Sequence, residues 1–269
     1  MVIEKAYAKI NLALEVMEKE NGYHKVNNLM IPINLYDEVI LEESDKVEMD
    51  DNLIEDNICI KAANIFLKEF NINKGVRITV KKNIPVSAGL AGGSTDAAAV
   101  LRGMNKLFNI NASCSKLEEI GSQLGSDVPF FINTKFALCT NRGEVINPIE
   151  INYEKYKILL LKPKSGLSTK EVYQNYIYKG ISKKENIKNI IAALEINNIN
   201  MLVNNIFNDL ALVSISLNEE LKEIYTTLNY KNLFVSGSGP TMFIINPSEE
   251  QIKEVEKKNI DFTCLTCLK

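Results

Sequence analysis

An alternation of apolar and polar positions near the N-terminus predicts a β-strand. Between residues 6 and 16 one set of alternate positions is wholly apolar, whereas the other set includes Lys9 and Asn11. Successive side chains of a strand point to opposite faces, so Lys9 and Asn11 are expected side by side on the more polar face. The pattern therefore predicts a strand that brings an ammonium and an amide together.

A tight hairpin is predicted directly after this strand. The pair Asn21-Gly22 is a strong hairpin signal, and residues 25 to 42 have the pattern of a returning strand. Tyr23 and His24 are therefore expected just beyond the turn. His24 is the single histidine of the chain, so sites that need two or three imidazoles are excluded.

A glycine-rich segment that runs into an alanine-rich helical pattern is the sharpest local signal. Its loop contains Gly89, Gly92 and Gly93, followed by Ser94 and Thr95. Glycines let the backbone approach a ligand closely, and the start of a helix offers unpaired N–H groups and the positive end of its dipole. The pattern favours a phosphate-binding loop. The alternative is a helix capped by Ser94 or Thr95, which needs no ligand.

Two further segments contain candidate functional residues, and each has a plainer interpretation when taken singly. Asp127 lies in Ser-Asp-Val-Pro and could cap a turn. The glycine turn at residues 236–240 could be an ordinary connection between strands. Lys9 could likewise be a lysine that faces solvent. Only the combination of these segments separates the interpretations.

The order of predicted elements indicates an α+β fold with mixed or antiparallel sheets. Strands and helices interleave in both halves, but hairpins rather than regular βαβ units open the chain. A length of 269 residues is enough for about two domains. We place the predicted boundary in the polar stretch around residues 147–157, which gives domains at 1–152 and 153–269.

Composition favours a small-molecule partner. Lysine and arginine number 31 against 34 acidic residues, a net charge of −3, so there is no basic surface suited to nucleic acid or to a membrane. The apolar runs are too short for a membrane span, and the charges in the first sixteen residues exclude a signal-peptide core. Five scattered cysteines suit reduced thiols, so a cytoplasmic protein is expected; no feature fixes an oligomeric state.

Taken together, four segments resemble the motif series of the GHMP kinases, in the family's order. They are Ala8-Lys9-Ile10-Asn11-Leu12, Pro85 with Gly89 to Ala98, Ser126 to Phe130, and Ser236 to Pro240. Two positions depart from the common pattern, since Ala91 and Thr95 stand where many relatives have glycine and serine. The resemblance implies two lobes with the active site in the cleft between them.

The resemblance also implies phosphoryl transfer from ATP with Mg²⁺. Catalysis of this reaction is mostly positioning and charge neutralisation. Asp127 would accept the proton of the substrate hydroxyl, Lys9 would keep Asp127 ionised and stabilise the transferred group, and Asn11 would orient the substrate. Ser94, Thr95 and Asp127 are the only hydroxyl or carboxyl candidates for the metal. The nucleotide phosphates would contact Pro85, Gly89, Leu90, Ala91, Gly92, Gly93, Ser94 and Thr95.

A narrower resemblance concerns the phosphoryl acceptor. Asn21-Gly22-Tyr23-His24 and the segment at residues 33–39 are similar to family members whose substrate is a methylerythritol joined to cytidine diphosphate. This implies a cytosine pocket formed by Tyr23, His24 and Tyr173, with Asn11, Asp127 and Thr169 also on the substrate. The plainer interpretation of His24 is a histidine that bonds to backbone at the turn. That of Tyr173 is a core tyrosine on a capped helix.

Two rival functions remain open at this point. One is a lyase of the decarboxylase kind on the same fold, against which the Tyr23-His24 pair and the short loop after it argue. The other is a nucleotide-binding regulator that has lost catalysis. Loss of Lys9 or Asp127 would have indicated the regulator, and both residues are present.

Overall fold

The computed structural model describes residues 1–49, 57–258 and 260–269. Its strands are β1 (Val2–Glu20), β2 (Tyr23–Ser44), β3 (Glu48–Met49), β4 (Gly75–Lys81), β5 (Ala137–Thr140), β6 (Val145–Pro148), β7 (Lys157–Lys162), β8 (Phe207–Asn208), β9 (Leu233–Val235), β10 (Met242–Ile245) and β11 (Phe262–Cys267). Its helices are α1 (Ile58–Glu69), α2 (Gly92–Leu107), α3 (Cys114–Ser122), α4 (Val128–Asn133), α5 (Thr169–Asn175), α6 (Lys184–Glu195), α7 (Ile199–Asn205), α8 (Ala211–Leu217), α9 (Glu219–Leu228) and α10 (Glu249–Glu256).

The described residues form two sheets, and the first is organised around the long hairpin of β1 and β2. Its strand order is β3-β4-β2-β1-β8, while β5 pairs with β2 and β6 with β5. The turn between β1 and β2 is the predicted one, with positive φ at both Asn21 and Gly22, as a tight hairpin turn requires. The predicted hairpin is confirmed, and β1 is longer at both ends than the predicted strand.

The second sheet is antiparallel, with the order β11-β7-β10-β9, and is formed wholly by residues after 156. The second half of the chain also adds β8 to the first sheet, where it pairs in parallel with β1. The α+β fold with mixed and antiparallel sheets is therefore confirmed. The boundary between residues 152 and 153 falls in the connection from β6 to β7, and it stays a prediction.

The polar face of β1 is buried, although an alternating pattern is typical of a strand with one face exposed to solvent. Lys9 is 4% exposed and Asn11 is 2% exposed. The apolar face packs into a cluster that includes Ile158 and Phe243 of the second sheet, and β8 lies beside β1. Both halves of the chain thus enclose this strand. Burial of a charged group without partners is costly, so Lys9 and Asn11 need hydrogen bonds inside the protein.

Helix α2 lies directly on the first sheet. Its middle is formed by small buried residues, Ala97 to Ala99, and Gly103 faces Leu41 so closely that an added Cβ would overlap Leu41 Cδ1. The close packing fixes the direction of the helix. Its N-terminus is thereby held beside the residues of β1.

Candidate active site

Lys9 is the centre of the buried polar network. Its Nζ donates to Asn11 Oδ1 and to the backbone oxygen of Gly89, each over 2.8 Å. Burial lowers the pKa of Lys9, and the negative charge of Asp127 opposes that shift. Two of the three N–H groups of the ammonium are therefore used, and both bind neutral oxygens.

Asn11 extends this hydrogen-bond network to Asn28 and Ser236. Its Nδ2 donates to Asn28 Oδ1 over 2.6 Å, and its Oδ1 also accepts from Ser236 Oγ over 3.2 Å. Ser236 Oγ lies 3.5 Å from the backbone oxygen of Gly89 as well. Lys9 and Ser236 thus share the same two acceptors, although they come from opposite ends of the chain.

Two glycine segments meet over Lys9, which we call the first glycine loop (residues 89–93) and the second glycine turn (residues 236–240). An added Cβ on Gly89 would lie 2.7 Å from the Gly239 oxygen and 2.9 Å from the Ser236 oxygen. One on Gly237 would lie 3.3 Å from Lys9 Nζ. Because backbone packs on backbone here, the second glycine turn is part of the site rather than a plain strand connection.

The second glycine turn is held by side chains of the second half of the chain. Asn208 Nδ2 donates to the Val235 and Gly237 oxygens over 2.9 and 2.7 Å. Thr169 and Ser238 are joined through their hydroxyls at 2.8 Å. Thr169, a predicted substrate residue, therefore lies against this turn.

Helix α2 begins in the first glycine loop without any side-chain cap. The N-cap residue is Ala91, at φ +59°, and its carbonyl accepts from Thr95 N over 3.0 Å. The interpretation of Ser94 or Thr95 as a cap is therefore wrong. The left-handed conformation costs a non-glycine residue about 1–2 kcal/mol. Ala91 adopts it nevertheless, which leaves the N–H groups of Gly92, Gly93 and Ser94 without a partner in the helix.

An ionic cluster clamps both ends of the segment that contains this loop. Asp37, which is fully buried, accepts from the backbone N–H of Asn83 and Ile84 over 2.5 and 2.8 Å. Lys82 pairs with Asp37 and, over 2.7 Å, with Asp96 of α2. Burial raises the pKa of Asp96 to about 7, and Asp37 adds to this shift while Lys82 opposes it. The loop is thus anchored at its entry and in α2.

Asp127 precedes α4 at the edge of this network. It is half-buried, and its side chain does not cap α4, which argues against a purely structural role. Its negative charge helps to raise the pKa of Tyr173 and that of Cys139, after burial in both cases, and it opposes the lowering at Lys9. Among the described residues no ion pair joins Asp127 to Lys9, so the two predicted catalytic residues lie near each other without direct contact.

His24 forms a cluster of three rings with Tyr173 and Tyr176. The ring centroids of His24 and Tyr173 are 6.1 Å apart, and those of His24 and Tyr176 are 5.6 Å apart. His24 Nδ1 lies 2.6 Å from the Met17 backbone oxygen, and Nε2 is buried without a partner. A carbonyl oxygen only accepts, so Nδ1 carries the proton and Nε2 of the neutral ring is an acceptor.

Tyr23 lies outside this ring cluster. It is 56% exposed, and the Arg142 guanidinium lies 3.7 Å from the centre of its ring. Arg142 is in the turn between β5 and β6, where its backbone N–H donates to Glu144. The next residue, Gly143, approaches Ser126, the neighbour of Asp127. This turn thus lies between Tyr23 and the segment of Asp127.

The structure therefore joins Lys9, Asn11 and Gly89 directly, brings Asp127 and Tyr173 close, and leaves Tyr23 and Pro85 outside these bonds. Sequence reasoning missed Asn28, Ser236, Arg142 and Tyr176. Ser236 belongs to the second glycine turn, and its glycine neighbours were a signal that could have indicated it. The other three carry no local pattern.

Among the residues described, no cluster of three metal-binding side chains occurs and no helix is long and apolar enough to cross a membrane.

Comparison with known protein families identifies both halves of the chain. Residues 57–135 match the GHMP kinases N terminal domain, and residues 182–262 match the GHMP kinases C terminal domain. The fold is shared with a crystal structure of 4-(cytidine 5'-diphospho)-2C-methyl-D-erythritol kinase, at a TM-score of 0.81 and 26% identity over 99% of this chain and 98% of that chain. A homoserine kinase from Cytophaga hutchinsonii has the same fold, with a TM-score of 0.74 and 17% identity over 100% and 94% of the two chains.

Two relatives in sequence are both named 4-diphosphocytidyl-2-C-methyl-D-erythritol kinase. The protein of Clostridium perfringens is 43% identical over 89% of this chain and 86% of its own length. That of Acetivibrio thermocellus is 42% identical over 92% and 90% of the two chains. Identity at this level across nearly the whole of both chains shows that this protein belongs to the 4-diphosphocytidyl-2-C-methyl-D-erythritol kinase family of the GHMP kinases.

Proposed function

We propose that this protein transfers the γ-phosphoryl group of ATP to the 2-hydroxyl of 4-diphosphocytidyl-2-C-methyl-D-erythritol, a step of the non-mevalonate route to isoprenoid precursors. The observation that carries the proposal is the junction at Lys9. There a buried ammonium, the first glycine loop and the second glycine turn converge beside Asp127. Membership of the kinase family supplies the class of reaction.

The nucleotide phosphates would lie at the start of α2. Three uncapped N–H groups and the positive end of the helix dipole suit a multiply charged anion. Thr95 Oγ1 is fully buried without a hydrogen-bond partner, so a polar group is available beside these N–H groups. Mg²⁺ binds mainly to phosphate oxygens, water and one or two protein oxygens. Ser94, Thr95 and Asp127 would supply those protein oxygens.

Lys9 and Asp127 would have different roles at the reacting hydroxyl. The carboxylate of Asp127 lies at the edge of the network and does not cap α4. It would take the hydroxyl proton. The third N–H of Lys9 has no partner among the described residues, so it can bind the transferred group. Both residues thereby stabilise the charge that phosphoryl transfer moves.

The cytidine end of the substrate would bind at the ring cluster. Cytosine carries an exocyclic amino group that donates, whereas uracil carries a carbonyl oxygen at that position. Since Nδ1 of His24 donates to Met17, its Nε2 is available to accept from the amino group. Tyr173 and Tyr23 offer aromatic faces, and the Arg142 guanidinium, which forms no ion pair among the described residues, offers a cation to the diphosphate.

The direct test is ADP formation by the purified protein with Mg-ATP. We expect turnover that depends on 4-diphosphocytidyl-2-C-methyl-D-erythritol, with a phosphorylated diol as the product by mass spectrometry. Homoserine and mevalonate are suitable control acceptors, because kinases named for them share this fold. Equal turnover of a control acceptor would contradict the proposal, as would ATP-dependent release of carbon dioxide from mevalonate pyrophosphate, for which a decarboxylase of this fold is named.

For the catalytic pair, we expect Asp127→Asn and Lys9→Ala each to lower kcat by about 10²–10⁴, the range for loss of a general base. KM for both substrates should change far less, because the two groups act mainly in the transition state. The double variant should be little slower than the slower single variant. Steady-state kinetics test this, with Lys9→Met as a second variant that keeps the volume of the buried site. Multiplicative losses would show that the residues do not share a step.

For the glycine loop, we expect Gly93→Val to raise KM for ATP by about tenfold or more, equivalent to at least about 1.4 kcal/mol of binding. Among the described residues only Ile58 Cγ2, at 3.7 Å, is near the position of an added Cβ, so the variant should fold. Gly93→Ala should show a smaller rise, and KM for the cytidine substrate should not change in either. Thermal melting checks the fold. A folded Gly93→Val variant with normal ATP affinity would remove this loop from the nucleotide site.

For the base pocket, we expect His24→Ala to raise KM for the cytidine substrate by about tenfold, the size of one lost hydrogen bond of about 1.4 kcal/mol. Discrimination against the uridine analogue should fall by a similar factor, and KM for ATP should stay constant. Lys25→Ala is a matched control at the neighbouring, exposed position. If His24→Ala retained the selectivity for cytidine, or changed only the affinity for ATP, this pocket would not be the site of the cytosine base.

A further inference from the structure

The hydrogen bonds around Lys9 lead to Asn28, a residue with no role in the proposed chemistry. Asn28 lies on β2, opposite Cys139 of β5, and is 8% exposed. Its Oδ1 accepts from Asn11 Nδ2 over 2.6 Å, while Asn11 Oδ1 accepts from Lys9. A continuous chain of two hydrogen bonds therefore joins Asn28 to the ammonium.

The direction of each bond in this chain is fixed by chemistry. Lysine only donates, so Asn11 must present its oxygen to Lys9. Ser236 Oγ lies beside the same oxygen, and its own contacts are acceptors, so it donates there as well. The Asn11 nitrogen must then find an acceptor on its other side. Asn28 Oδ1 is that acceptor, and it holds the Asn11 amide in the one orientation that suits Lys9.

Loss of the Asn28 oxygen would remove this constraint. The Asn11 nitrogen would be left buried without an acceptor, a costly arrangement for a residue only 2% exposed. A rotated Asn11 amide would turn its nitrogen toward the Lys9 ammonium, which can only donate. Lys9 would then keep only one of its two anchors, the Gly89 oxygen. Its third N–H would lose its fixed direction.

We propose that Asn28 is a positioning residue for Lys9: through the amide of Asn11, it sets the direction of the ammonium that faces the transferred phosphoryl group. The proposal rests on the proposed function for what Lys9 does, but not for how Lys9 is held. The Asn28 oxygen, rather than the size of the side chain, is the group that matters.

The test compares Asn28→Ala with Asn28→Asp, which has the same shape and keeps an acceptor oxygen. We expect Asn28→Ala to lower kcat by about tenfold, the value of roughly one lost hydrogen bond, with KM for both substrates within about threefold of the wild type. Asn28→Asp should recover most of kcat. Asn105→Ala is the matched control, because among the described residues the Asn105 side chain bonds only to backbone groups of Ala112, near the C-terminal end of α2.

A second measurement needs no substrate. In free protein labelled with ¹⁵N-lysine, the Lys9 Nζ resonance is assigned by its loss in Lys9→Arg. It should move in Asn28→Ala, return toward the wild-type position in Asn28→Asp, and stay unchanged in Asn105→Ala.

A Lys9 resonance that does not move in Asn28→Ala would overturn the proposal, as would a normal kcat. So would equal losses in the alanine and aspartate variants, since these would point to packing rather than to the acceptor. Absence of turnover in the wild type, with the Lys9 resonance still dependent on the Asn28 oxygen, would overturn the proposed function and support the positioning role.

Discussion

The burial of one ammonium group determines the arrangement of the whole site. A lysine that is 4% exposed must be surrounded by acceptors, because transfer of an unpaired charge from water is too costly. The two acceptors of Lys9 come from its own strand and from the first glycine loop. Ser236 of the second half binds the same two oxygens. The oxygens that Lys9 and Ser236 share therefore link the first glycine loop to the second glycine turn, and with them the two halves of the chain.

Glycine at residue 89 is what makes this approach possible. The backbone there has φ +72°, and a side chain would overlap carbonyl oxygens of the second glycine turn. The loop is not left to find this position unaided, because Asp37 and Asp96 hold Lys82 between them and so anchor the backbone before the loop and the helix after it. The first glycine loop, although no side chain caps the helix that follows it, thus has a shape set by contacts within the protein.

Simple periodicity was enough to predict part of this site. Alternation along β1 placed Lys9 and Asn11 together, and Asn21-Gly22 placed His24 beyond the hairpin turn. The place of Asn28 in the network could not be predicted from the sequence, because it depends on the register of the hairpin. Since Tyr23 lies opposite Glu20, a regular hairpin would put Asn28 opposite Glu15, yet a register shift between Val16 and Lys19 places it opposite Leu14. No residue pattern marks that shift. Arg142 and Tyr176 were missed because they approach Tyr23 and His24 only through tertiary packing.

The plain and the functional interpretations of His24 prove to be compatible. The histidine does bond to backbone at the turn, as a structural residue would. That bond places the proton on Nδ1, and this is what makes Nε2 an acceptor. A histidine held in the opposite tautomer would present a donor and would favour the carbonyl of uracil over the amino group of cytosine. In the proposed base pocket, the backbone oxygen of Met17 would therefore set which base edge His24 can pair with.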